Sequence, residues 1–195
     1  FEDLFGGGFG DIFGGRPNAA PQRGGDVRAA ITIELRDAVL GAEREISFAR
    51  PDGGTRRLKV KIPAGFEDGS TLRLSGQGME GPGGPGDLML EISVRPHPHL
   101  RREGNDLYLD VPITVKEAVR GARIEVPTFQ GTIKLTVPPG SQSGDTLRVK
   151  GRGIGKGDLF VVLMVRVPDA SNPGVSEAVD RLEDAYGNVR ADLSL

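Results

Sequence analysis

The chain has 195 residues, enough for one or two domains, and its 27 acidic and 25 basic residues give a net charge of −2. This balance lacks the basic excess with which nucleic-acid binders neutralise phosphates, and it offers no polybasic attraction to a membrane. Cysteine is absent, which excludes disulfides and thiolate metal sites. The sequence shows neither a signal-peptide pattern nor an apolar run of about 20 residues, so we expect a cytoplasmic protein.

Residues 1–25 are rich in glycine and phenylalanine. The triplet Asp-Leu-Phe at residues 3–5 recurs as Asp-Ile-Phe at residues 11–13, and two glycines follow each copy. Interior glycines disfavour a helix, so this composition predicts a flexible linker. The alternative is that the two Asp-apolar-Phe triplets dock transiently on a hydrophobic surface.

From Asp26 onward the chain contains an internal repeat. Residues 26–42 match residues 106–122, and the later segments 62–65, 69–74, 76–78 and 86–88 match 137–140, 144–149, 151–153 and 157–159 in the same order. Matches in this order indicate a duplicated module. We therefore predict one module over residues 26–98, a second over residues 99–168, and a hinge followed by a helix over residues 169–195.

Apolar residues alternate with polar ones inside each copy, as they do at Leu88, Leu90 and Ile92. Period-2 alternation between turn signals, such as the Pro-Ala-Gly at residues 63–65, is typical of short strands. The predicted fold is all-β: two tandem β-sandwich or barrel-like modules, with a short C-terminal helix and a flexible Gly/Phe-rich N-terminal arm.

Only residues 176–186 show a helical pattern. Ser176 is a suitable N-cap, and Val179, Leu182 and Tyr186 fall on one apolar face before Gly187. A helix this short is marginal alone, so its apolar face needs a partner surface. That surface is either a second subunit or the chain's own second module.

Sites for cofactors, metals and catalysis are not evident. The glycines at residues 76–81 have the G-x-G-x-x-G spacing, but the prolines that follow exclude the helix which a dinucleotide site requires. His97 and His99 lack a third metal ligand. Asp87 and Asp158 occupy equivalent positions in the repeat, which favours an architectural role. We therefore expect a protein that is not an enzyme and binds no cofactor or metal.

Five motifs in order resemble one known family. They are Asp-Ile-Phe at 11–13, Leu-Arg-Asp-Ala-Val-Leu-Gly at 35–41, the junction at 97–107, Glu-Val-Pro-Thr at 125–128 and Gly-Arg-Gly at 151–153. Together they are similar to the carboxy-terminal client-binding region of the DnaJ-type (J-protein) co-chaperones, in the zinc-less class that includes curved-DNA-binding protein A. The J domain with its His-Pro-Asp loop is missing, so we expect a part of a longer protein. The Cys-rich zinc module is also missing, and residues 49–55 stand in its place.

The resemblance implies a co-chaperone that binds unfolded or non-native polypeptide and presents it to a DnaK-type ATP-driven chaperone. It also implies a homodimer formed through the C-terminal segment, with Val179, Leu182 and Tyr186 at the interface. The alternative is a nucleoid-associated DNA-binding protein that uses the same β modules, with the basic residues of segment 56–61 as a local patch. A gel shift that weakens steeply with salt distinguishes the two.

The client site is predicted on the first module, at Ile31, Ile46, Phe48 and Met89. Alternation places Ile46 and Phe48 on one strand face and points Met89 away from the buried Leu88 series. Methionine suits an adaptable pocket, and an unfolded segment can add as a strand at a sheet edge. The alternative is that Ile46 and Phe48 are ordinary core residues.

Overall fold

A computed structural model describes residues 21–49 and 53–191. The two Asp-apolar-Phe triplets of the arm lie outside the described residues. The chain divides between Arg95 and Pro96 into two compact units, and this division falls within a few residues of the predicted module boundary. Each unit is built mainly from strands, which confirms the predicted fold class.

The first module has two layers. Its strands are β1 (Val27–Glu34), β2 (Ala42–Ala49), β3 (Thr55–Ile62), β4 (Ser70–Leu74) and β5 (Leu88–Arg95), and α1 (Leu35–Leu40) follows β1. One layer is the sheet β1-β5-β4, in which β1 and β5 run parallel, and the other is the antiparallel hairpin β2–β3. Leu88, Leu90 and Ile92 of β5 are fully buried between the layers, as the alternation predicts.

The second module repeats this plan and adds one strand. Its elements are β6 (Leu100–Glu103), β7 (Asp106–Thr114), α2 (Val115–Arg120), β8 (Ala122–Thr128), β9 (Gly131–Val137), β10 (Thr146–Val149) and β11 (Leu159–Arg166), followed by α3 (Pro173–Glu183). The sheet order is β10-β11-β7-β6, with β8–β9 as the second layer. Within the described residues, the first module has no counterpart of β6.

The prediction that only the end of the chain is helical was wrong, because α1 and α2 are short helices. Thr114 caps α2: its Oγ1 accepts from the Glu117 amide at 3.1 Å, and the Glu117 carboxylate accepts from the Thr114 amide at 2.8 Å. Both helices end at a glycine with positive φ, 76° at Gly41 and 73° at Gly121. Six residues are too few to show a helical period in the sequence.

The C-terminal helix is confirmed, but it starts and ends earlier than predicted. Asn172, and not Ser176, is its N-cap and accepts from the Gly174 amide at 3.3 Å. Pro173 occupies the first turn, where its fixed φ and missing N–H suit a helix start. The helix ends at Glu183, so Tyr186 lies just beyond it. In the described part of the chain, no helix is long and apolar enough to cross a bilayer.

Residues 21–25, here called the strap, lie along the glycine-rich loop of residues 76–86. The Gly24 amide donates to the Gly84 carbonyl at 2.9 Å. A Cβ on Gly81 would lie only 2.4 Å from the Gly24 nitrogen, so a side chain there would push the strap away. The G-x-G-x-x-G spacing therefore serves close packing of two backbone segments, and the end of the predicted linker is held against the first module.

Candidate functional site

A cleft of about 400 Å³ lies between β1 and β2 of the first module. It is lined by residues 31–34 of β1, residues 44–47 of β2, and Asp37 of α1. Successive residues of both strands line it, so the cleft follows the backbone edges of the strands and not just one side-chain face. In the described part of the chain, β1 pairs only with β5 and β2 only with β3. Both strands therefore present an unpaired edge to the cleft.

The cleft has an apolar interior and a charged rim. Ile31 and Ile46 supply the apolar surface, and Glu34, Asp37, Arg44 and Glu45 supply the charges. The Nε of Arg44 donates to Asp37 Oδ2 at 3.1 Å, and Arg95 Nη1 donates to Glu34 Oε1 at 2.7 Å. Glu45 lies opposite Lys59 across the β2–β3 hairpin. Each carboxylate of the rim therefore has a basic neighbour.

The structure brings two of the four predicted site residues together. Ile31 and Ile46 both line the cleft, although Ile46 is only 6% exposed and also belongs to the core. Phe48 is 8% exposed within the same core cluster, and Met89 stands between Arg28 and Arg73 on the outer sheet face. Neither Phe48 nor Met89 lines the cleft. The client-binding role of all four residues stays a prediction.

In the second module, the first part of the corresponding strand edge is covered. The added strand β6 pairs with the first part of β7, so that Leu100 lies opposite Leu109 and Glu103 opposite Asp106. Residues 106–109 of β7 are therefore covered, whereas residues 111–114, which correspond to the cleft-lining residues 31–34, do not pair with β6. Sequence reasoning missed this difference, because β6 lies before residue 106, where the match between the two copies begins.

Three basic residues of β3, Arg57, Lys59 and Lys61, share one face of the β2–β3 hairpin. Lys59 lies opposite Glu45 and Lys61 lies opposite Glu43. Residues directly opposite each other on one face are close enough to interact, so each lysine has an acidic neighbour. Arg56 lies on the other face of the hairpin.

Histidines are exposed at the start of the second unit. The rings of His97 and His99 are 6.3 Å apart, centroid to centroid, in an edge-on arrangement. Among the residues that the structure describes, no group of three or more histidine, aspartate or glutamate side chains is placed to hold a metal.

Asp87 and Asp158 occupy equivalent buried sites. Asp87 accepts from the Gly76 amide at 2.9 Å and from Arg73 Nε at 2.7 Å, and Asp158 has the same two kinds of bond in its own module. The Gly76 amide and then the Arg73 side chain hold the pKa of Asp87 below its ordinary value. In the first module, Arg23 of the strap adds an ion pair to Asp87 at 3.1 Å. The duplicated aspartates therefore fix each module's glycine loop to its sheet.

Asp87→Asn should lower the melting temperature at pH 7 and lose this effect in acid. Because the pKa of Asp87 is lowered in the folded state, the carboxylate stabilises the fold at pH values above its ordinary pKa of 3.8. This stabilisation is lost as the pH falls through the folded-state pKa. Melting curves of both proteins between pH 7 and pH 2.5 test this. Asp158→Asn is the matched control, with a smaller loss expected because it lacks an Arg23 partner. A melting difference that stays constant over this pH range contradicts the role.

The sequence comparisons agree with this architecture. The model of the DnaJ C terminal domain matches residues 27–168. The chain is 38% identical over 198 residues to a curved DNA-binding protein of Coxiella burnetii (strain Dugway 5J108-111), and the alignment covers 94% of this chain and 63% of that protein. It is 39% identical over 216 residues to a curved DNA-binding protein of Pseudomonas putida (strain F1), with 100% and 68% covered.

A further relative carries a chaperone name. The chain is 32% identical over 262 residues to the chaperone protein DnaJ of Caldicellulosiruptor saccharolyticus, with 94% of this chain and 67% of that protein covered. The chain thus spans about two thirds of the length of these curated relatives. The matched family model covers both modules, and on this evidence the chain belongs to the DnaJ C-terminal domain family.

Proposed function

We propose that the first module binds unfolded polypeptide by accepting it as an added strand in the cleft between β1 and β2. The observation that carries this proposal is the pair of unpaired strand edges that line one cleft together with Ile31 and Ile46. Main-chain hydrogen bonds to a sheet edge need no particular sequence in the added strand. This is the property that a binder of many unfolded proteins requires.

The interior of the cleft defines the class of segment that fits best. One or two apolar side chains of the client would contact Ile31 and Ile46. The paired charges of the rim would act mainly on the association rate and on the choice of partner. The preferred client is therefore an extended apolar segment.

Membership of this family supports a role for the binding in a chaperone cycle. DnaJ-type proteins are co-chaperones, and the Caldicellulosiruptor relative is named a chaperone protein DnaJ. We propose that the whole protein, of which these residues cover the carboxy-terminal modules, works in the cytoplasm and presents its bound client to a DnaK-type ATP-driven chaperone.

Ile31→Asp should weaken the binding of an extended apolar peptide at least about tenfold, because a carboxylate at this apolar contact costs more than 1.4 kcal/mol. Val111→Asp is the matched control, since Val111 is the equivalent residue of β7. Fluorescence anisotropy of a labelled peptide gives both affinities, and suppression of client aggregation gives the activity.

A second peptide isolates the strand addition itself. Methylation of alternate backbone nitrogens removes the donors on one strand edge while it keeps the side chains. We expect this peptide to bind much more weakly than its parent. Equal binding of the two peptides, or equal losses for Ile31→Asp and Val111→Asp, would refute the cleft as the client site.

DNA binding is the second candidate, and one surface favours it. On the outer sheet face of the second module, the rings of Tyr108 and Phe160 stack at 4.9 Å, and the Arg101 guanidinium lies 4.9 Å above Tyr108. Aromatic rings beside arginines can stack on bases, and two relatives are named curved DNA-binding proteins. Arg101 is already paired with Asp110 at 3.2 Å, however, which limits its charge toward phosphate. A gel shift of curved DNA at low and moderate salt tests this surface, with Tyr108→Ala as the variant.

A further inference from the structure

The second module contains an apolar pocket of about 210 Å³ that the client-binding proposal does not use. It lies where the tip of the β8–β9 hairpin meets the end of the four-stranded sheet. Leu107 and Leu159 form its buried floor, Phe129 of the hairpin turn forms one wall, and Arg152 stands at its rim.

The repeat explains why the core is open at this point. Ala42 pairs with Ile62 and Ala122 pairs with Val137, so β2 and β8 are in the same register and position 128 is equivalent to position 48. The first module has Phe48 at this position, packed into its core at 8% exposure.

The second module has Thr128 at the same position, and this side chain is used differently. Its hydroxyl accepts from the Gln130 amide at 3.2 Å and donates to the Gly131 carbonyl at 2.5 Å. The threonine therefore stabilises the tight hairpin turn and does not fill the core. The first module fills the equivalent position with the phenyl ring of Phe48, and the second module, with Thr128 there, leaves a pocket.

The size and chemistry of the pocket suit a phenyl ring supplied from outside. An apolar cavity of about 150 Å³ in another protein already binds benzene, so a pocket of about 210 Å³ has room for a phenylalanine side chain. The leucines of the floor and the Phe129 ring provide apolar and aromatic contacts.

The rim adds a requirement for negative charge. The Nη1 of Arg152 donates to the Gln130 side-chain oxygen at 3.1 Å. Among the residues that the structure describes, no carboxylate pairs with Arg152, so its remaining N–H groups are available to a ligand.

We propose that this pocket is a second peptide-binding site, which takes a phenylalanine side chain from a partner polypeptide and holds an adjacent aspartate or glutamate on Arg152. The two modules therefore select different segments: extended apolar segments on the first module, and Phe next to an acidic residue on the second.

The probe for this site is 3-phenylpropionate, which carries a phenyl ring and a carboxylate, with neutral 3-phenylpropionamide as its matched control. Titration into the full chain, followed by NMR, should shift the signals of Leu109 and Phe129 with both compounds. Arg152→Gln should weaken the carboxylate about fivefold, as expected for a partly exposed ion pair, and leave the amide unchanged.

A filling variant tests the shape of the pocket. Thr128→Phe restores the residue of the first module and should abolish the binding of both compounds, while the melting temperature is retained or raised. Leu109→Phe narrows the same pocket without changing the turn, and it keeps the test decisive if the first variant folds poorly.

The site would be overturned if neither compound shifted the signals of Leu109 or Phe129, or if both filling substitutions left binding unchanged. Pocket signals that move on dilution without any probe would also overturn it, because a second copy of the chain would then occupy the pocket. None of these results affects the cleft, since the Ile31→Asp test uses the other module.

Discussion

Phe48→Ala is expected to lower the free energy of unfolding of the first module by about 3–5 kcal/mol, the usual cost of truncating a buried phenylalanine. The phenyl ring is only 8% exposed and packs in one cluster with Ile46, Leu88 and Leu90. Its removal leaves a cavity between two layers that are held together mainly by this cluster. Urea titration followed through the amide signals of β5 measures the loss.

The equivalent threonine provides the control for this experiment. Thr128→Ala removes no core contact and should cost the second module less than about 1 kcal/mol, the value of a turn hydrogen bond. Met89→Ser should likewise change stability little, because Met89 faces away from the buried residues of β5. If Phe48→Ala keeps the stability of the first module and loses peptide affinity, Phe48 belongs to the client site and not to the core.

Val179→Glu combined with Leu182→Glu is expected to halve the mass of the protein in solution. In the single chain these side chains are 47% and 42% exposed, and Tyr186 just beyond the helix is 60% exposed. An 11-residue helix gains little from its own hydrogen bonds, so an apolar row exposed to this degree favours a partner surface. We propose that the partner is the same row of a second copy, related by two-fold symmetry.

Light scattering over a range of concentrations tests the dimer. Val119→Glu is the matched control, because it places the same charge on a valine of α2 that is 62% exposed. The alternative partner is the helix's own module, since a cavity of about 600 Å³ beside α3 is also lined by Val115 and Val167. If the wild-type protein is monomeric at every concentration, the dimer is refuted and the apolar row packs against its own module.

The alternation of apolar residues predicted the strands and their buried faces well, because burial on one face of a strand follows directly from a period of two. Leu88, Leu90 and Ile92 are the clearest case, since all three are fully buried. Which strands are neighbours was not predictable in this way. The parallel pairing of β1 with β5 joins segments about 60 residues apart, and alternation carries no information about partners.

The same limit applies to the candidate sites. The sequence singled out Ile31 and Ile46, but their meeting in one cleft depends on the packing of a hairpin against a sheet edge. The charged rim combines residues of β1, α1 and β2, which no local pattern connects. The capping box at Thr114 and Glu117 was readable in the sequence and would have indicated the start of α2. The pocket at Thr128 is visible only when the two repeats are compared within their cores.

The open edge of β1 has a consequence for the behaviour of the protein at high concentration. An unpaired strand edge that accepts an unfolded segment also accepts the same edge of another copy, which is how sheets grow into fibrils. Glu34, Arg44 and Glu45 stand beside this edge, and charged side chains at a sheet edge discourage pairing with a second copy. The charged rim thus protects the open edge against self-association, and the protection weakens as salt screens these charges.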